Sequence, residues 1–537
     1  MRILPVRADA MLVELADLGE ALALFDALES APVDGIREIV PAARTLLISF
    51  DPTAISDEAL VQVVTERAGG ERKAASGALV EIPVRYDGED LVEVAGILGM
   101  SADEVVRLHV ESDYVVAFTG FAPGFAYLAG GDPRLSVPRR KSPRTQVPAG
   151  SVGLAGQFSG VYPKTSPGGW QLIGTTPLAM FDLDRTPASL LQPGNRVRFR
   201  DMSAGRAYEI ATVAKVGGAD GAGASAKENS STAVIEILSV GLPVLFQDLG
   251  RMGQASQGIS MSGAVDRASC KAANRLVGNP VEVPALEIAL GALSFRMHGR
   301  GVIAVTGALA DIVIAAADGS KTLAPHHSAI ALDDGDVVSL SVPSAGMRSY
   351  LALRGGFEVA PVLGSVATDT LAQIGPARLA KGDRVAIRPA PAGSVVSVSE
   401  MPAFDMPRPC ELVVLDVVMG PRTDWFTERA VESFLAQEWN VTPQSSRVGI
   451  RLAGEALERE NHDELPSEAT VRGALQVPAS GQPVLFLADH PLTGGYPVIA
   501  NVAGHHLDLA GQIPVGARIR FNATSRFAPR IISGKRT

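Results

Sequence analysis

Short apolar segments rich in Val, Ile and Thr recur along the chain and are broken by Gly and Pro about every ten residues. β-Branched residues between such turns are typical of strands in sheets and barrels. Near the N-terminus, apolar positions three and four residues apart predict helices over residues 18–28, 56–67, 87–99 and 101–109. The pattern therefore predicts a mainly β protein with some α+β elements.

The length of the chain, 537 residues, is too great for one core, and a prior of about 150 residues per domain gives three or four units. Residues 206–232 include the stretch GGADGAGASAKENSST, which has the composition of a flexible tether. We predict a small α+β domain over residues 1–80, a β-barrel over 81–205, this linker, and a second half over 233–530 with two β-barrel subdomains.

An internal repeat supports related barrels in the two halves. Between residues 147 and 199 the segments VPAG, SPGGW and GNRVRF occur in order, and between residues 477 and 521 the segments VPAS, TGGY and GARIRF follow with similar spacing. Each closing segment is a Gly turn that leads into an alternating strand, which is also a common β-turn solution. Two matched segments upstream favour the repeat.

Charge and cysteine content exclude several classes of protein. The net charge is −10 and the pI is about 5.4, which argues against a nucleic-acid partner because such binding needs clustered Lys and Arg. Two cysteines, Cys270 and Cys410, cannot form a disulfide framework, and a reducing compartment fits best. There is no signal-peptide core and no apolar run of about 18 residues, so we expect a soluble cytoplasmic protein without a membrane anchor.

In the first half, a basic loop is the first candidate site. Arg139, Arg140 and Arg144 lie between prolines and could bind a carboxylate or phosphate in a forked manner, although a solvated basic loop is the usual alternative. The next stretch is small and rich in glycine, so a ligand could reach its backbone amides, with Ser151 and Gln157 as polar groups. It lacks the lysine and spacing of a Walker phosphate loop.

Two further candidates in the first half lie in the segment YPKTSPGGW. Tyr162 and Lys164 stand there between prolines, and Lys164 adds a single cation close to several hydroxyl groups.

In the second half, Gln247, Asp248 and Arg251 form a polar turn after a predicted strand. A structural ion pair between Asp248 and Arg251 is the common alternative to a functional role. Asp266 is expected to cap a helix that carries Asn274 and stops near Gly278.

Asp489 and His490 end the apolar run at residues 484–488, and Gln476 lies shortly before that run. Polar residues at the end of a buried strand are common in barrel active sites, and histidine titrates near neutral pH. The alternative is a histidine that only hydrogen-bonds a turn carbonyl.

Metal and covalent chemistry find little support in the sequence. The tandem pairs His326-His327 and His505-His506 would point to opposite faces of a strand, so neither pair alone predicts a metal site. The sequence has no Gly-x-Ser-x-Gly elbow and no Ser-x-x-Lys nucleophile in a helical context, which disfavours covalent serine catalysis.

The motifs of the first half, GFAPGFAYL, PRRKSPRTQVPAGSVGLAG and YPKTSPGGWQLIG, closely resemble the B subunit of bacterial 5-oxoprolinase, the allophanate-hydrolase-subunit-1 family. That family also contains Kip-type histidine-kinase inhibitors. The resemblance covers about residues 1–205 and implies a small α+β domain followed by a cyclophilin-like barrel.

The second half resembles the C subunit of the same enzyme, the allophanate-hydrolase-subunit-2 or Kip-antagonist family, over about residues 233–525. Its motifs are QDLGRMGQASQGISMSGAVDRASCKAANRLVGN, LALRGGFEVAPVLGS and QVPASGQPVLFLADHPLTGGYPVIA. The resemblance implies a second cyclophilin-like half, so that the chain is a fusion of the B and C subunits.

The family resemblance implies that both halves act with a separate A subunit to convert 5-oxoproline into glutamate, driven by ATP with Mg²⁺. We expect ATP and the amide substrate to bind between the halves. The candidate catalytic residues are Lys164, Asp489, His490, Asp248 and Arg251. The candidate substrate- or phosphate-binding residues are Arg139, Arg140, Arg144, Ser151, Gln157, Tyr162, Gln247, Asn274 and Gln476. Alanine at Lys164 or Asp489 is expected to abolish turnover and leave the fold intact.

Two alternative functions remain open. The same modules resemble the carboxyltransferase region of urea carboxylase, which would need biotin on a partner because this chain has no biotinyl-lysine motif. A regulatory module for a histidine kinase is the second alternative, although fusing an inhibitor to its antagonist makes little regulatory sense. The sequence leaves open the true amide substrate and a possible homo-oligomer.

Overall fold

The computed structural model describes residues 1–70, 77–140, 142–202 and 233–532. The predicted linker at 206–232 lies outside these residues, as does Lys141 of the basic loop. Strands outnumber helices, which confirms the prediction of a mainly β protein. None of the helices in these ranges combines the length and the apolar character needed to span a bilayer.

The N-terminal region consists of two helices and an antiparallel sheet. Helix α1 (Leu18–Ser30) begins after Asp17, and helix α2 (Asp57–Arg67) begins after Ser56; each of these side chains accepts a hydrogen bond from an amide in the first turn. The strands are β1 (Arg2–Arg7), β2 (Ala10–Glu14), β3 (Ile36–Pro41), β4 (Thr45–Phe50) and, from the far end of the chain, β34 (Arg530–Ile531). Their order is β3-β4-β2-β1-β34.

The next region is a seven-stranded sheet that almost closes on itself. Its strands and the adjacent two-stranded ladder are β5 (Leu79–Val84), β6 (Tyr114–Thr119), β7 (Ala126–Ala129), β8 (Arg144–Val147), β9 (Ser151–Ala155), β10 (Phe158–Val161), β11 (Ser166–Gly168), β12 (Gln171–Thr175) and β13 (Arg196–Asp201). The sheet order is β12-β9-β10-β7-β6-β13-β5, and a bridge between Arg85 and Thr175 joins its two edges. Helices α3 (Leu91–Leu98) and α4 (Ala102–Glu111) pack against this sheet and share its core.

The second half begins with two sheets that enclose one apolar core. Their strands are β14 (Val234–Val240), β15 (Val244–Gln247), β16 (Ala285–Ala289), β17 (Leu293–His298), β18 (Gly301–Leu309), β19 (Ile312–Ala315), β20 (Lys321–Ala324), β21 (Ala329–Leu332), β22 (Val337–Leu340), β23 (Ala345–Leu353) and β24 (Arg384–Ala386). Helix α5 (Arg267–Leu276) packs on strands β18 and β23, and Asp266 caps it as the sequence predicts.

The last region is a closed barrel with the order β25-β32-β29-β30-β27-β26-β33. Its strands and the neighbouring pair β28 and β31 are β25 (Leu412–Met419), β26 (Trp439–Val441), β27 (Gly449–Ala453), β28 (Glu468–Ala469), β29 (Ala474–Gln476), β30 (Val484–Phe486), β31 (Thr493–Gly494), β32 (Val498–Val502) and β33 (Arg518–Ser525). Helices α6 (Glu428–Ala436) and α7 (Leu507–Ala510) complete the region, and Phe434, Trp439 and Phe521 fill its core.

The predicted repeat corresponds to two equivalent barrel closures. In the first half, β13 runs parallel to β5, the first strand of its sheet. In the second half, β33 runs parallel to β25 in the same way. These are the two parallel pairings among the described strands, and each half also has a small ladder beside its barrel, β8 with β11 and β28 with β31. The two halves therefore share a topology as well as sequence segments.

The two halves pack against each other through apolar and polar contacts. An apolar cluster joins Leu4 and Leu12 of the N-terminal sheet to Phe486 and Val498 of the closed barrel. A buried ion cluster lies nearby, in which Arg422 of the barrel region contacts Glu14 of the N-terminal sheet at 2.8 Å and also pairs with Glu468. This packing fixes the position of the cleft between the halves.

Candidate functional site

A small cavity of about 50 Å³ lies where the halves meet. Lys164 reaches it from the first half, and Asp369 and His490 reach it from the second. Two of the residues predicted from sequence, Lys164 and His490, are thus brought together although they lie far apart in the sequence. The cavity is far smaller than the roughly 300–1,000 Å³ typical of ligand pockets, so a substrate needs the lining to open.

Lys164 lies in the loop between β10 and β11 and is half-buried. Its ammonium group donates a hydrogen bond to the carbonyl oxygen of Leu371 in the second half. Burial lowers the pKa of Lys164, and the nearby carboxylate of Asp369 opposes that shift. The side chain is therefore a cation held at the cleft by a backbone carbonyl.

Asp369 is the residue that sequence reasoning missed. Its Oδ1 accepts hydrogen bonds from the amides of Leu371 (2.9 Å) and Ala372 (2.7 Å), whereas its buried Oδ2 has no partner among the described residues. Burial and the charge of Asp489 raise the pKa of Asp369 to about 6. A carboxyl group with a free oxygen that titrates near neutral pH, next to a lysine, is suited to acid–base or metal chemistry.

The polar turn predicted at residues 247–251 holds the segment that carries Asp369. Asp248 accepts hydrogen bonds from the Ser365 hydroxyl (2.7 Å) and the Val366 amide (2.7 Å). Gln247 donates to the carbonyl oxygen of Thr368 at 2.8 Å. The turn thus positions the 365–369 loop.

Arg251 adds a buried cation to this loop. One of its amino groups donates to the carbonyl oxygen of Ala367, while Nε and Nη1 are buried without a partner in the described part of the chain. Burial lowers its pKa, and the carboxylates of Asp369, Asp248 and Asp489 oppose the shift. Arg251 and Asp248 do not form the ion pair that was the structural alternative, as far as the described residues show.

Asp489 is buried in an ion network and not exposed to the cavity. Arg447 binds both of its carboxylate oxygens at 2.9 Å, and the Ser262 hydroxyl and both polar groups of Thr370 donate to the same carboxylate. Arg447 also pairs with buried Glu287. With both oxygens engaged, Asp489 orients Thr370, the residue next to Asp369, and its removal would leave the Arg447 charge only partly compensated. The expectation that alanine at Asp489 leaves the fold intact is therefore revised.

His490 lines the cavity with its ring held by the backbone. Its Nδ1 lies 2.9 Å from the carbonyl oxygen of Pro491, and burial lowers its pKa to about 4. The turn-carbonyl contact that the sequence allowed as an alternative is thus present. A neutral ring at pH 7 can donate or accept a hydrogen bond but does not supply a positive charge.

The basic loop is paired with carboxylates of its own surroundings. Asp90 accepts hydrogen bonds from Arg140 and from Arg144, each at 2.7 Å, and Arg139 pairs with Glu464 at 2.9 Å. None of the three arginines lines the cavity. Their predicted role in binding an anion stays a prediction, and it would require these pairs to exchange partners.

The remaining predicted residues are dispersed. Ser151 is buried within β9, Gln157 is exposed in the turn that follows, and Tyr162 is packed among the aromatic rings beside Phe121 and Phe125. In the second half, Asn274 donates to the carbonyl oxygen of Val283 inside the packing of α5, and Gln476 donates to that of Tyr496. The structure brings none of these five to the cavity.

In the described part of the chain, one group with metal-ligating atoms occurs elsewhere, at Asp416, His505 and His506. The His506 Nδ1 accepts a hydrogen bond from the Asp416 amide at 2.9 Å, and Asn522 donates to the Asp416 carboxylate at 2.7 Å. Their own hydrogen bonds account for this partly exposed cluster, and none of its residues lines the cavity between the halves.

Comparison with known proteins defines the class first. Residues 1–191 match the family model described as carboxyltransferase domain, subdomain C and D, and residues 257–523 match carboxyltransferase domain, subdomain A and B. The chain also aligns with the crystal structure of TTHA0988 with a TM-score of 0.79 and 33% identity, covering 96% of this chain and 99% of that one. The fold and the arrangement of the halves are those of a two-part carboxyltransferase-like protein.

Curated relatives are more specific. Over 187 residues the chain is 44% identical to the 5-oxoprolinase B subunit of Bacillus subtilis, covering 32% of this chain and 78% of the relative. Over 291 residues it is 35% identical to the 5-oxoprolinase C subunit of Escherichia coli, covering 54% and 90%. Urea amidolyase of Saccharomyces cerevisiae is 32% identical over 53% of this chain and 16% of its own length. The chain belongs to the family of the B and C subunits of 5-oxoprolinase, with both in one polypeptide.

Proposed function

We propose that this protein is the fused B and C component of an ATP-dependent 5-oxoprolinase, which acts with a separate A subunit on 5-oxo-L-proline to give L-glutamate. The observation that carries the proposal is the cavity between the halves, because each half contributes polar residues to it and each half matches a different 5-oxoprolinase subunit. A site built from both halves explains why they would be fused.

The chemistry requires activation of an unstrained lactam. Transfer of the γ-phosphoryl group of ATP to the amide oxygen releases ADP and gives a phosphorylated intermediate with a good leaving group. Water then attacks the ring carbon, the C–N bond breaks, the ring nitrogen takes a proton, and phosphate leaves. Negative charge develops on the transferred oxygens, so a nearby cation lowers the barrier.

Lys164 is the cation we assign to that charge, and Asp369 is the carboxylate we assign beside it. Mg²⁺ that accompanies ATP is usually held by phosphates, waters and one or two carboxylates, and the free Oδ2 of Asp369 fits such a ligand. The ionised Asp369 would hold the metal or accept a proton. Arg251 and Asp489 act through the loop that carries Asp369, as positioning residues.

Steady-state ATP hydrolysis tests the proposal. We expect the purified chain with a co-expressed A subunit to hydrolyse ATP when 5-oxoproline is present and not when urea or allophanate replaces it. Omission of the A subunit is expected to remove the stimulation. Absence of ATP hydrolysis in every combination would reject the proposed function.

A carboxyltransferase acting on urea or a related amide is the second candidate. The match of both halves to carboxyltransferase subdomains and the similarity to urea amidolyase favour it. This function would need a biotinylated partner, so transfer of labelled carboxyl from a biotin carrier to urea by the chain would support it in place of the first proposal.

Replacement of Asp369 by Asn tests its ionisation. Because the carboxylate form is needed and the pKa lies near 6, activity of the wild-type chain is expected to fall as the pH drops through about 6. The Asp369→Asn variant should be slower by roughly 100-fold and should lack this limb of the profile. His490 does not mask the effect, since its pKa is about 4. An unchanged profile in the variant would remove Asp369 from the site.

A further inference from the structure

A second and larger cavity, of about 280 Å³, lies against helix α5 in the second half. We call it the α5 pocket and define it by Arg267, Lys271, Arg275, His327 and Asp508, which contribute polar groups to its lining. It shares no lining residue with the cavity between the halves. Its volume is close to the lower end of the range for small-molecule sites.

Two polar side chains in this lining lack partners. His327 is only 6% exposed, and neither of its ring nitrogens has a hydrogen-bond partner within the described ranges. The Nε of Arg267 is also buried without a partner there. Buried polar groups are nearly always hydrogen-bonded in folded proteins, so such groups facing one cavity indicate a ligand that completes them.

The backbone at His327 gives an independent sign of a built site. Its φ is +53°, a left-handed conformation that is uncommon for residues other than glycine. The amide of His327 is fixed by the carbonyl oxygen of Val305, and its carbonyl oxygen accepts from the amide of Glu400. The strained backbone therefore holds the ring in a defined place at the pocket.

The charges that face the pocket are mainly positive. Lys271 has no ion pair or hydrogen bond within the described residues, and Arg267 carries a second positive charge. Asp508 is the acidic residue of the lining, but its oxygens accept from the amides of Arg267 and Ala268 and from Arg472. Arg275 is paired with Glu400. The unpaired charge left over is that of Lys271, with donors from Arg267 and His327 beside it.

We propose that the α5 pocket binds a small oxyanion, a carboxylate or a phosphate, through Lys271, Arg267 and His327. An oxyanion accepts several hydrogen bonds at once and would satisfy the donors that the protein leaves free. The cavity holds a molecule of about the size of an amino acid or a phosphate and is too small for a nucleotide. This site is separate from the proposed reaction site and does not depend on that proposal.

Titration calorimetry of the full chain with sodium phosphate and with sodium L-glutamate, at matched ionic strength, tests the site. We expect Lys271→Ala to weaken binding about tenfold or more, as the loss of a charge-assisted hydrogen bond predicts. Lys321→Ala, an exposed lysine on β20, is the matched control and should change the dissociation constant less than twofold. His327→Asn, which tolerates the left-handed backbone, should also weaken binding.

Each outcome decides the proposal. Phosphate bound more tightly than glutamate identifies a phosphoryl ligand, and the reverse identifies a carboxylate ligand; both support the site. No binding of either anion at millimolar concentration overturns it, as does equal weakening by Lys271→Ala and Lys321→Ala. Because Lys271 is partly exposed on a helix, its variant should unfold at the wild-type temperature even if the His327 variant does not fold.

Discussion

Replacement of Lys164 by Ala is expected to lower 5-oxoproline-dependent ATP hydrolysis by at least roughly 100-fold, because the site loses the cation that faces the developing charge. The ammonium group lies at the cleft, bound to the carbonyl oxygen of Leu371 and near the Asp369 carboxylate. The measurement is the rate of ADP formation with the A subunit present. The effect should fall on kcat, since the interaction strengthens in the transition state.

Two companion variants sharpen that result. Lys164→Met keeps most of the side-chain length and should be as inactive as the alanine variant, which excludes a packing effect. Lys381→Ala, at an exposed lysine, should leave the rate unchanged. Activity of the Lys164 variants within twofold of wild type would contradict the assigned role, provided that their thermal unfolding matches wild type.

Replacement of Arg447 by Leu is expected to cost about 3–5 kcal/mol in the free energy of unfolding. The change leaves the buried carboxylates of Glu287 and Asp489 without the cation that joins them. Glu287 keeps a more distant contact to Arg348 at 3.5 Å, which does not replace a bidentate partner. Urea denaturation measures the loss as a lower transition midpoint.

A matched pair of controls separates charge from volume. Arg300→Leu removes an exposed arginine that pairs with Asp333 and should change stability by no more than about 0.5 kcal/mol. Adding Glu287→Gln and Asp489→Asn to Arg447→Leu should recover part of the lost stability, because no buried charge of this group then remains unpaired. A triple variant no more stable than the single one would show that the network does not act through charge.

The local elements were predictable from sequence because their signals are local. Ser56 and Ser101 stand before helices α2 and α4 and accept hydrogen bonds from the first turn, as their positions suggest. The strand segments GNRVRF and GARIRF become β13 and β33, which close equivalent barrels. Fold class and repeat therefore follow from patterns that span a few residues.

The site was predictable only in part, since it depends on contacts between distant segments. Lys164 and His490 were found because recognisable motifs contain them. Asp369 lies four residues beyond the recognised motif LALRGGFEVAPVLGS, and its role emerges only where the halves meet. A carboxylate two residues after the small residues Val366 and Ala367 gives no periodic signal.

The basic loop shows the opposite error of emphasis. Arg140 and Arg144 attract attention in the sequence as unpaired cations, but Asp90, about 50 residues earlier, accepts from both and also from the amide of Leu172. Sequence spacing cannot reveal a partner that only the packing of α3 on β12 brings near. Their assignment to an anionic substrate stays a prediction that variants at Asp90 would also test.

The most direct test of the central claim is the stoichiometry of products formed by the chain together with the A subunit. Supplied with 5-oxoproline and ATP, the complex is expected to form L-glutamate and ADP in equal amounts, and omission of either protein should abolish both. Hydrolysis of ATP without any glutamate, or carboxylation of urea with a biotinylated partner in place of glutamate formation, would contradict the account.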